Sequence, residues 1–82
     1  MHYVYILRSE VSGRFYVGSS QDVQKRLDHH NAGKVKATRY LRPLELAYQE
    51  AHVTAREARQ REYYLKRQKS RRVLEGLISA GD

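Results

Sequence analysis

Glu62 is the residue whose position most clearly suggests chemistry, because an acid occurs where the sequence pattern predicts a buried side chain. The inward stripe of the predicted helix consists of Ala55, Ala58, Glu62 and Leu65, spaced by three, four and three residues. Burying a carboxylate is costly unless it is paired with a cation or binds a metal. An ion pair on a neighbouring turn, or a place at the edge of the helix face, explains the acid equally well; the candidate partners are Arg59 and Lys66.

Two tyrosines, Tyr5 and Tyr16, are a second candidate pair. Each lies in an aromatic and β-branched run, which predicts strands over residues 3–7 and 14–18. The polar connection over residues 9–13 contains a glycine and has the length of a hairpin loop. Strand tyrosines are also ordinary half-buried packing residues, so the hairpin alone does not define a site.

The pairing register decides whether the two tyrosines act together. An antiparallel register that places Leu7 opposite Arg14 sets the two tyrosines opposite each other and Tyr3 opposite Gly18. Both tyrosines then stand on one face, beside a glycine that leaves room for a group to approach. A slip of one residue would divide them between the two faces. We therefore expect a shared face and interpret Tyr3 as structural.

A first helix, over residues 23–30, is predicted to carry two further polar side chains. The run from Ser19 to Asp22 supplies capping chemistry, and the run from Asn31 to Gly33 suits the stop. Arg26 and His30 are spaced i, i+4, so they lie one above the other on the helix surface.

Residues 34–42 form a basic loop in which an aromatic residue and a hydroxyl alternate with cations. This composition suits contact with phosphate, although a solvated loop would look the same. The residues concerned are Lys34, Lys36, Thr38, Arg39, Tyr40 and Arg42.

The remaining pattern completes an α+β prediction. Residues 44–49 alternate between apolar and polar side chains, which predicts a third, half-buried strand after Pro43. Thr54 and Glu57 have the spacing of a capping box that opens the second helix. That helix is predicted to end near Lys69, before a short third helix. We expect a small three-stranded antiparallel sheet flanked by about three helices, in the order β-β-α-β-α-α, as one domain over residues 1–82.

Composition narrows the class of protein. Sixteen Lys and Arg against nine Asp and Glu give a net charge of +7, which favours a polyanionic partner, nucleic acid above a membrane surface. A merely soluble basic protein would share this charge. The chain has no cysteine, so disulfides, thiolate metal sites and a cysteine nucleophile are excluded. No apolar run could span a membrane and the N-terminus lacks a signal-peptide layout, which predicts a cytoplasmic protein.

Taken in order, these residues resemble the GIY-YIG nuclease superfamily, most closely its small stand-alone bacterial members. The triplets Tyr3-Val4-Tyr5 and Tyr16-Val17-Gly18 match the two name-giving motifs, separated by a gap of the right length. Arg26 and Glu62 fall where the family has its arginine and its metal-binding glutamate, and His30 looks like a histidine that many members carry. One departure is visible, because the first triplet begins with tyrosine where the motif name has glycine.

The resemblance implies a metal-dependent endonuclease that hydrolyses DNA with little sequence specificity, in DNA repair or recombination. Glu62 would hold one divalent ion, magnesium with manganese as a substitute, and Arg26 would clamp the scissile phosphate. Tyr5 and Tyr16 jointly would supply a general base or orient water, with Arg26 and Glu62 converging on the face that they share. A free tyrosine pKa of about 10 would then have to be lowered by Arg26 and the metal. His30 would assist proton transfer or bind phosphate.

Nucleic-acid binding would fall to the basic surface. The predicted contacts are Gly18, Lys34, Lys36, Thr38, Arg39, Lys66 and Lys69. The separate DNA-binding domain of larger superfamily members is not expected here, so affinity would come from this surface, from a homodimer or from a partner protein. The alternative function is a slow or inactive binding module for DNA or RNA within a larger complex.

Overall fold

The computed structural model describes residues 1–68 and 70–80 of the 82-residue chain. Its strands are β1 (His2–Ser9), β2 (Phe15–Ser20) and β3 (Leu44–His52). Its α-helices are α1 (Val23–Asn31), α2 (Ala55–Lys66) and α3 (Arg71–Ala80). The strands form one antiparallel sheet in the order β2-β1-β3. The predicted α+β class and element order are confirmed, with a 3₁₀ helix (Lys36–Leu41) inside the predicted basic loop.

The predicted hairpin register is wrong by two residues. Leu7 pairs with Tyr16 and Tyr5 pairs with Gly18, not Leu7 with Arg14, Tyr5 with Tyr16 or Tyr3 with Gly18. The turn is tighter than expected: Gly13, at φ +74°, lets the chain reverse within four residues, and the ladder continues to Ser9. An even slip keeps every side chain on its face. Tyr5 and Tyr16 therefore still share a face, as diagonal neighbours.

Strand β1 is central and is buried on both faces, which explains its continuous apolar run. On one side, the α2 face, Val4, Ile6 and Val17 pack against α2 and α3. On the other side, the α1 face, Tyr5 and Leu7 pack against α1 and the segment that leads into β3. The sheet therefore separates two apolar clusters, and the tyrosines belong to the α1 face.

Local signals fix where the helices begin and end. Asp22 caps α1, because its Oδ1 accepts a hydrogen bond from the backbone N–H of Lys25 at 3.0 Å. Gly33 follows the helix at φ +78°, as the predicted stop requires. Thr54 Oγ1 accepts from the backbone N–H of Glu57 at 3.1 Å, which supplies one half of the predicted capping box. Helix α2 ends at Lys66, three residues before the predicted end.

The lengths and compositions of the helices were compared with those of a membrane span. Within residues 1–68 and 70–80, each of them is too short or too polar to cross a membrane.

Candidate functional site

Tyr5 and Gly18 form the floor of the candidate site. Tyr5 is 1 % exposed and lies across the strand pair, where Gly18 is its partner on β2. A Cβ atom at position 18 would lie only 2.6 Å from Tyr5 Cζ. The space beside Gly18 is therefore filled by Tyr5, so the position requires glycine for steric reasons, and its contact with nucleic acid stays a prediction. The glycine shapes the site by admitting the tyrosine ring.

His30 connects Tyr5 to the 3₁₀ helix through a buried chain of hydrogen bonds. It is completely buried in the last turn of α1, with Nε2 3.1 Å from the Tyr5 hydroxyl. Its Nδ1 lies 2.8 Å from Thr38 Oγ1, which donates to the Val35 carbonyl at 3.4 Å. Because the Thr38 proton points to that carbonyl, we assign the His30 proton to Nδ1. Nε2 then accepts from Tyr5, which makes Tyr5 a hydrogen-bond donor.

Thr38 corrects a second prediction. It was expected to contact phosphate from a solvated basic loop, but it is completely buried and faces His30. A buried hydroxyl cannot contact a polyanion, so the predicted role is wrong. The 3₁₀ helix turns this one side chain inward while its basic neighbours point to solvent.

Burial governs the protonation of both His30 and Tyr5. Desolvation is the largest cause that lowers the pKa of His30 from 6.5 to about 4, and the charges of Arg26 and His29 act in the same direction. Burial is also the largest cause that raises the pKa of Tyr5, with contributions from Tyr16 and Glu62, while interaction with Arg26 lowers it. Both groups are therefore neutral near pH 7, as the hydrogen bond between them requires.

Arg26 lies one turn before His30 on α1 and is half-buried. It is close enough to the Tyr5 hydroxyl to affect its pKa, and it also borders a small pocket with Asp22, Lys25 and other residues of the α1 entry. Within residues 1–68 and 70–80, no carboxylate forms an ion pair with it. Its charge is therefore available to bind an anion beside Tyr5.

Glu62 approaches from the opposite side of the sheet. It was expected to converge on the tyrosine face, but α2 packs on the α2 face and holds Glu62 against the edge strand β2. Its Oε1 accepts from Ser19 Oγ at 2.5 Å, and its Oε2 is 2.7 Å from Lys66 Nζ. The side chain is 19 % exposed. Glu62 is therefore the partly buried, paired acid that one alternative predicted, with Lys66 and not Arg59 as its partner.

The edge position of β2 nevertheless brings Glu62 and the tyrosines into one neighbourhood. No further strand of the described chain covers β2, so a side chain from α2 can reach around it. Lys66 does so: its Nζ lies 5.7 Å from the centroid of the Tyr16 ring. Tyr16 in turn packs edge-on against His30, with ring centroids 5.0 Å apart. Tyr16 thus links the buried Tyr5–His30 pair to the acid at the strand edge.

The donor set at Glu62 fits only certain metals. Among the described residues, no group of three or more His, Cys, Asp or Glu side chains comes together. The protein-ligated cage typical of structural zinc is therefore not formed by these residues. One carboxylate beside a hydroxyl fits magnesium, which keeps most of its water ligands. The Lys66 ammonium against Glu62 already shows that a cation is accommodated at this carboxylate.

The other predicted contacts have mixed positions. Lys34, Lys36 and Arg39 lie at or near the surface, and Arg39 donates through Nε to the Gly33 carbonyl at 3.1 Å. Lys66 is engaged with Glu62, and Lys69 lies outside the described residues.

Two residues of the site escaped prediction from the sequence. Ser19 was grouped with capping residues, yet it belongs to β2 and binds Glu62. Asn31 was interpreted only as a helix stop. Its side-chain amide donates to the Leu44 carbonyl at 2.9 Å and accepts from the Leu44 N–H at 2.8 Å, which ties α1 to the start of β3. The alternation of β2 could have found Ser19, because it places Ser19 on the face of Val17.

Comparisons with known proteins identify the family of this chain. Residues 1–75 match the GIY-YIG catalytic domain. A UPF0213 protein of Bacillus pumilus is 50 % identical over 66 residues, which are 79 % of this chain and 66 % of that protein. A UPF0213 protein of Staphylococcus epidermidis is 42 % identical over 80 residues, covering 92 % and 96 % of the two chains. The solution NMR structure of a UPF0213 protein from Bacillus halodurans aligns with a TM-score of 0.60 at 40 % identity, covering 96 % of this chain and 83 % of that one. The chain belongs to the GIY-YIG family.

Proposed function

We propose that this protein is a metal-dependent endonuclease that hydrolyses phosphodiester bonds in DNA with little sequence specificity. One observation carries the proposal: three complementary side chains surround the edge of β2. They are Arg26, which pairs with no carboxylate of the described residues, the half-exposed Tyr16 and the cation-binding carboxylate of Glu62. Binding alone would need the positive charge but not a partly buried acid beside a tyrosine.

Arg26 is the residue we assign to the scissile phosphate. Its guanidinium is permanently charged, and its planar fork of donors matches two phosphate oxygens. It borders both the Tyr5 hydroxyl and an open pocket, so it can hold an anion next to the tyrosines.

The two tyrosines take different parts. Tyr5 is buried and donates a hydrogen bond to His30, so its oxygen serves as an acceptor that orients Arg26. Tyr16 is half-exposed and lies between His30 and Lys66. We therefore assign Tyr16 to the attacking water, as its general base or as the group that orients it. His30 and Thr38 hold Tyr5 in place.

Glu62 is the residue that would bind the divalent ion, with magnesium preferred. The bound ion would supply Lewis-acid stabilisation of the charge on the departing 3′-oxygen. Ser19 fixes the carboxylate by its hydrogen bond to Oε1, which leaves Oε2 as the oxygen that faces a cation.

DNA would bind through the basic surface. The net charge of +7 and the outward-facing Lys34, Lys36 and Arg39 favour contacts with the phosphate backbone, which carry no sequence information.

A nicking assay on supercoiled plasmid tests the proposal directly. Wild type and Glu62→Gln are compared with magnesium and with manganese, and DNA affinity is measured in parallel. We expect metal-dependent nicking by wild type, its loss in the variant, and similar affinity in both. Equal activity of the two proteins would overturn the assignment of Glu62. Salt-dependent binding without cleavage of any DNA or RNA structure would favour the binding module.

A further inference from the structure

Both oxygens of Glu62 are occupied by groups of the protein itself. Oε1 accepts from Ser19 Oγ at 2.5 Å, and Oε2 lies 2.7 Å from Lys66 Nζ. A divalent ion that binds this carboxylate must therefore take the oxygen that the Lys66 ammonium now holds. Lys66 and the ion are competitors for one position.

The surroundings of Lys66 distinguish it from an ordinary solvated lysine. Its ammonium faces Glu62 on one side and the Tyr16 ring on the other, 5.7 Å from the ring centroid. It also lines a groove of about 340 Å³ between β2 and the α2–α3 segment, together with Phe15 and Arg71. The charge thus lies between the acid and the tyrosine, in the lining of a groove that also contains Arg71.

We infer that Lys66 acts as an internal substitute for the metal and couples metal binding to nucleic-acid binding. Without nucleic acid, the ammonium neutralises Glu62 and weakens the binding of a divalent ion. When a phosphate backbone enters, Lys66 gains an alternative partner and releases Oε2. Each ligand then strengthens the binding of the other by the same factor, as linkage requires. The inference rests on the proposed function, in which Glu62 holds the metal.

The competing explanation is a helix-surface ion pair at i, i+4, which is common and contributes little. That explanation gives Lys66 no special effect on the metal beyond the general field of one positive charge. Arg59 offers a matched control, because it lies on the same helix three residues before Glu62, and no ion pair joins it to Glu62 within the described residues. Removing either residue takes one charge from the neighbourhood of the acid.

The experiment measures Mn²⁺ binding by electron paramagnetic resonance for wild type, Lys66→Met, Arg59→Met and Glu62→Gln. We expect Mn²⁺ to bind Lys66→Met about fivefold or more tightly than wild type, the lower end of typical coupling between ligands. Arg59→Met should change the affinity much less. An unchanged affinity in Lys66→Met, or an equal gain in both variants, would overturn the inference.

A second arm repeats the titration with a nuclease-resistant phosphorothioate duplex. The duplex should tighten Mn²⁺ binding to wild type and have a smaller effect on Lys66→Met; equal effects would overturn the coupling.

The Glu62→Gln variant distinguishes failure of this inference from failure of the proposed function. If it binds Mn²⁺ as well as wild type, the metal site of the proposed function fails. If it loses binding while Lys66→Met behaves as wild type, only the role of Lys66 fails.

Discussion

At the scale of single residues, the two tyrosines differ in what their hydroxyl groups can reach. Tyr5 donates a hydrogen bond to a neutral, buried histidine, whereas Tyr16 lies at the strand edge beside Lys66. A substitution at each position should therefore have a different effect, although both come from matching motifs.

Tyr16→Phe should lose activity and keep its stability. Removal of a proton-transfer group costs about a hundredfold or more in rate, and the half-exposed hydroxyl leaves no buried partner unsatisfied. Tyr5→Phe should instead lower the free energy of unfolding by about 1–3 kcal/mol, because His30 Nε2 loses its buried donor. Plasmid nicking and urea unfolding of both variants check this contrast. Two variants with the same profile would contradict it.

His30 predicts how stability depends on pH. Its pKa is about 4 in the folded protein and about 6.5 when unfolded, so the folded state disfavours the protonated form. This contribution to stability is complete above pH 6.5 and is lost as the pH falls from there to about 4, by roughly 3 kcal/mol.

Urea unfolding between pH 7 and pH 4 measures this loss. Carboxylates also titrate in the range, so the comparison is with His30→Gln, whose stability should fall less over the same interval. His29→Gln, an exposed neighbour on the same turn, should keep most of the wild-type loss, because burial and not the charge of His29 is the largest cause of the low pKa of His30. A full loss in His30→Gln would show that other groups cause it.

At the scale of elements, the hairpin depends on the close approach of Tyr5 to Gly18. Gly18→Ala would place a methyl group 2.6 Å from Tyr5 Cζ, and Tyr5 is fully buried and held by its hydrogen bond to His30. We expect a loss of about 1–3 kcal/mol in the free energy of unfolding.

Gly76→Ala is the matched control. Gly76 lies inside α3, and a Cβ atom there would meet no atom within 4 Å. Since glycine is unfavourable in a helix interior, the free energy of unfolding of this variant should rise by about 0.5–1 kcal/mol. Changes of opposite sign in the free energy of unfolding of the two variants, measured with urea, would support the close contact between Gly18 and Tyr5. A neutral Gly18→Ala would argue against it.

Most elements can be predicted from the sequence because their signals are local. Alternation, i, i+4 stripes and capping residues such as Asp22 and Thr54 act within one strand or one turn. The hairpin register depends on how many residues the turn uses, and the burial of Thr38 depends on a histidine eight residues away. Patterns of residue type along the chain predict neither the register nor the burial of Thr38. The same holds for the two-point contact of Asn31 with Leu44.

At the scale of the whole molecule, the charge of +7 predicts binding that weakens steeply with salt. Replacing Lys34 and Lys36 by glutamine should reduce the slope of log K against log salt by about one for each phosphate that is no longer neutralised. Arg8→Gln is the control, since Arg8 is engaged with Glu45 at 2.7 Å. Fluorescence anisotropy of a labelled duplex measures the slopes. An unchanged slope in the double variant would place the DNA elsewhere.

The sheet separates the candidate catalytic residues in a way that the sequence does not predict. The order of the five candidate catalytic residues along the chain can be read from the sequence. The face of the sheet from which each side chain approaches the site cannot. Glu62 comes from the α2 face because its helix packs on Val4 and Ile6, and it reaches the tyrosines only around the edge of β2. Packing of distant elements determines that route.

The buried chain from Tyr5 through His30 to Thr38 has a consequence for how this fold can drift. These three side chains are part of the core, so a version of the fold that only binds should retain them for stability alone. Tyr16 and Glu62 are partly exposed and can be replaced at little structural cost. The trio is therefore expected in the interior of binding-only versions of this domain as well. The presence of that trio alone should not be used to infer activity.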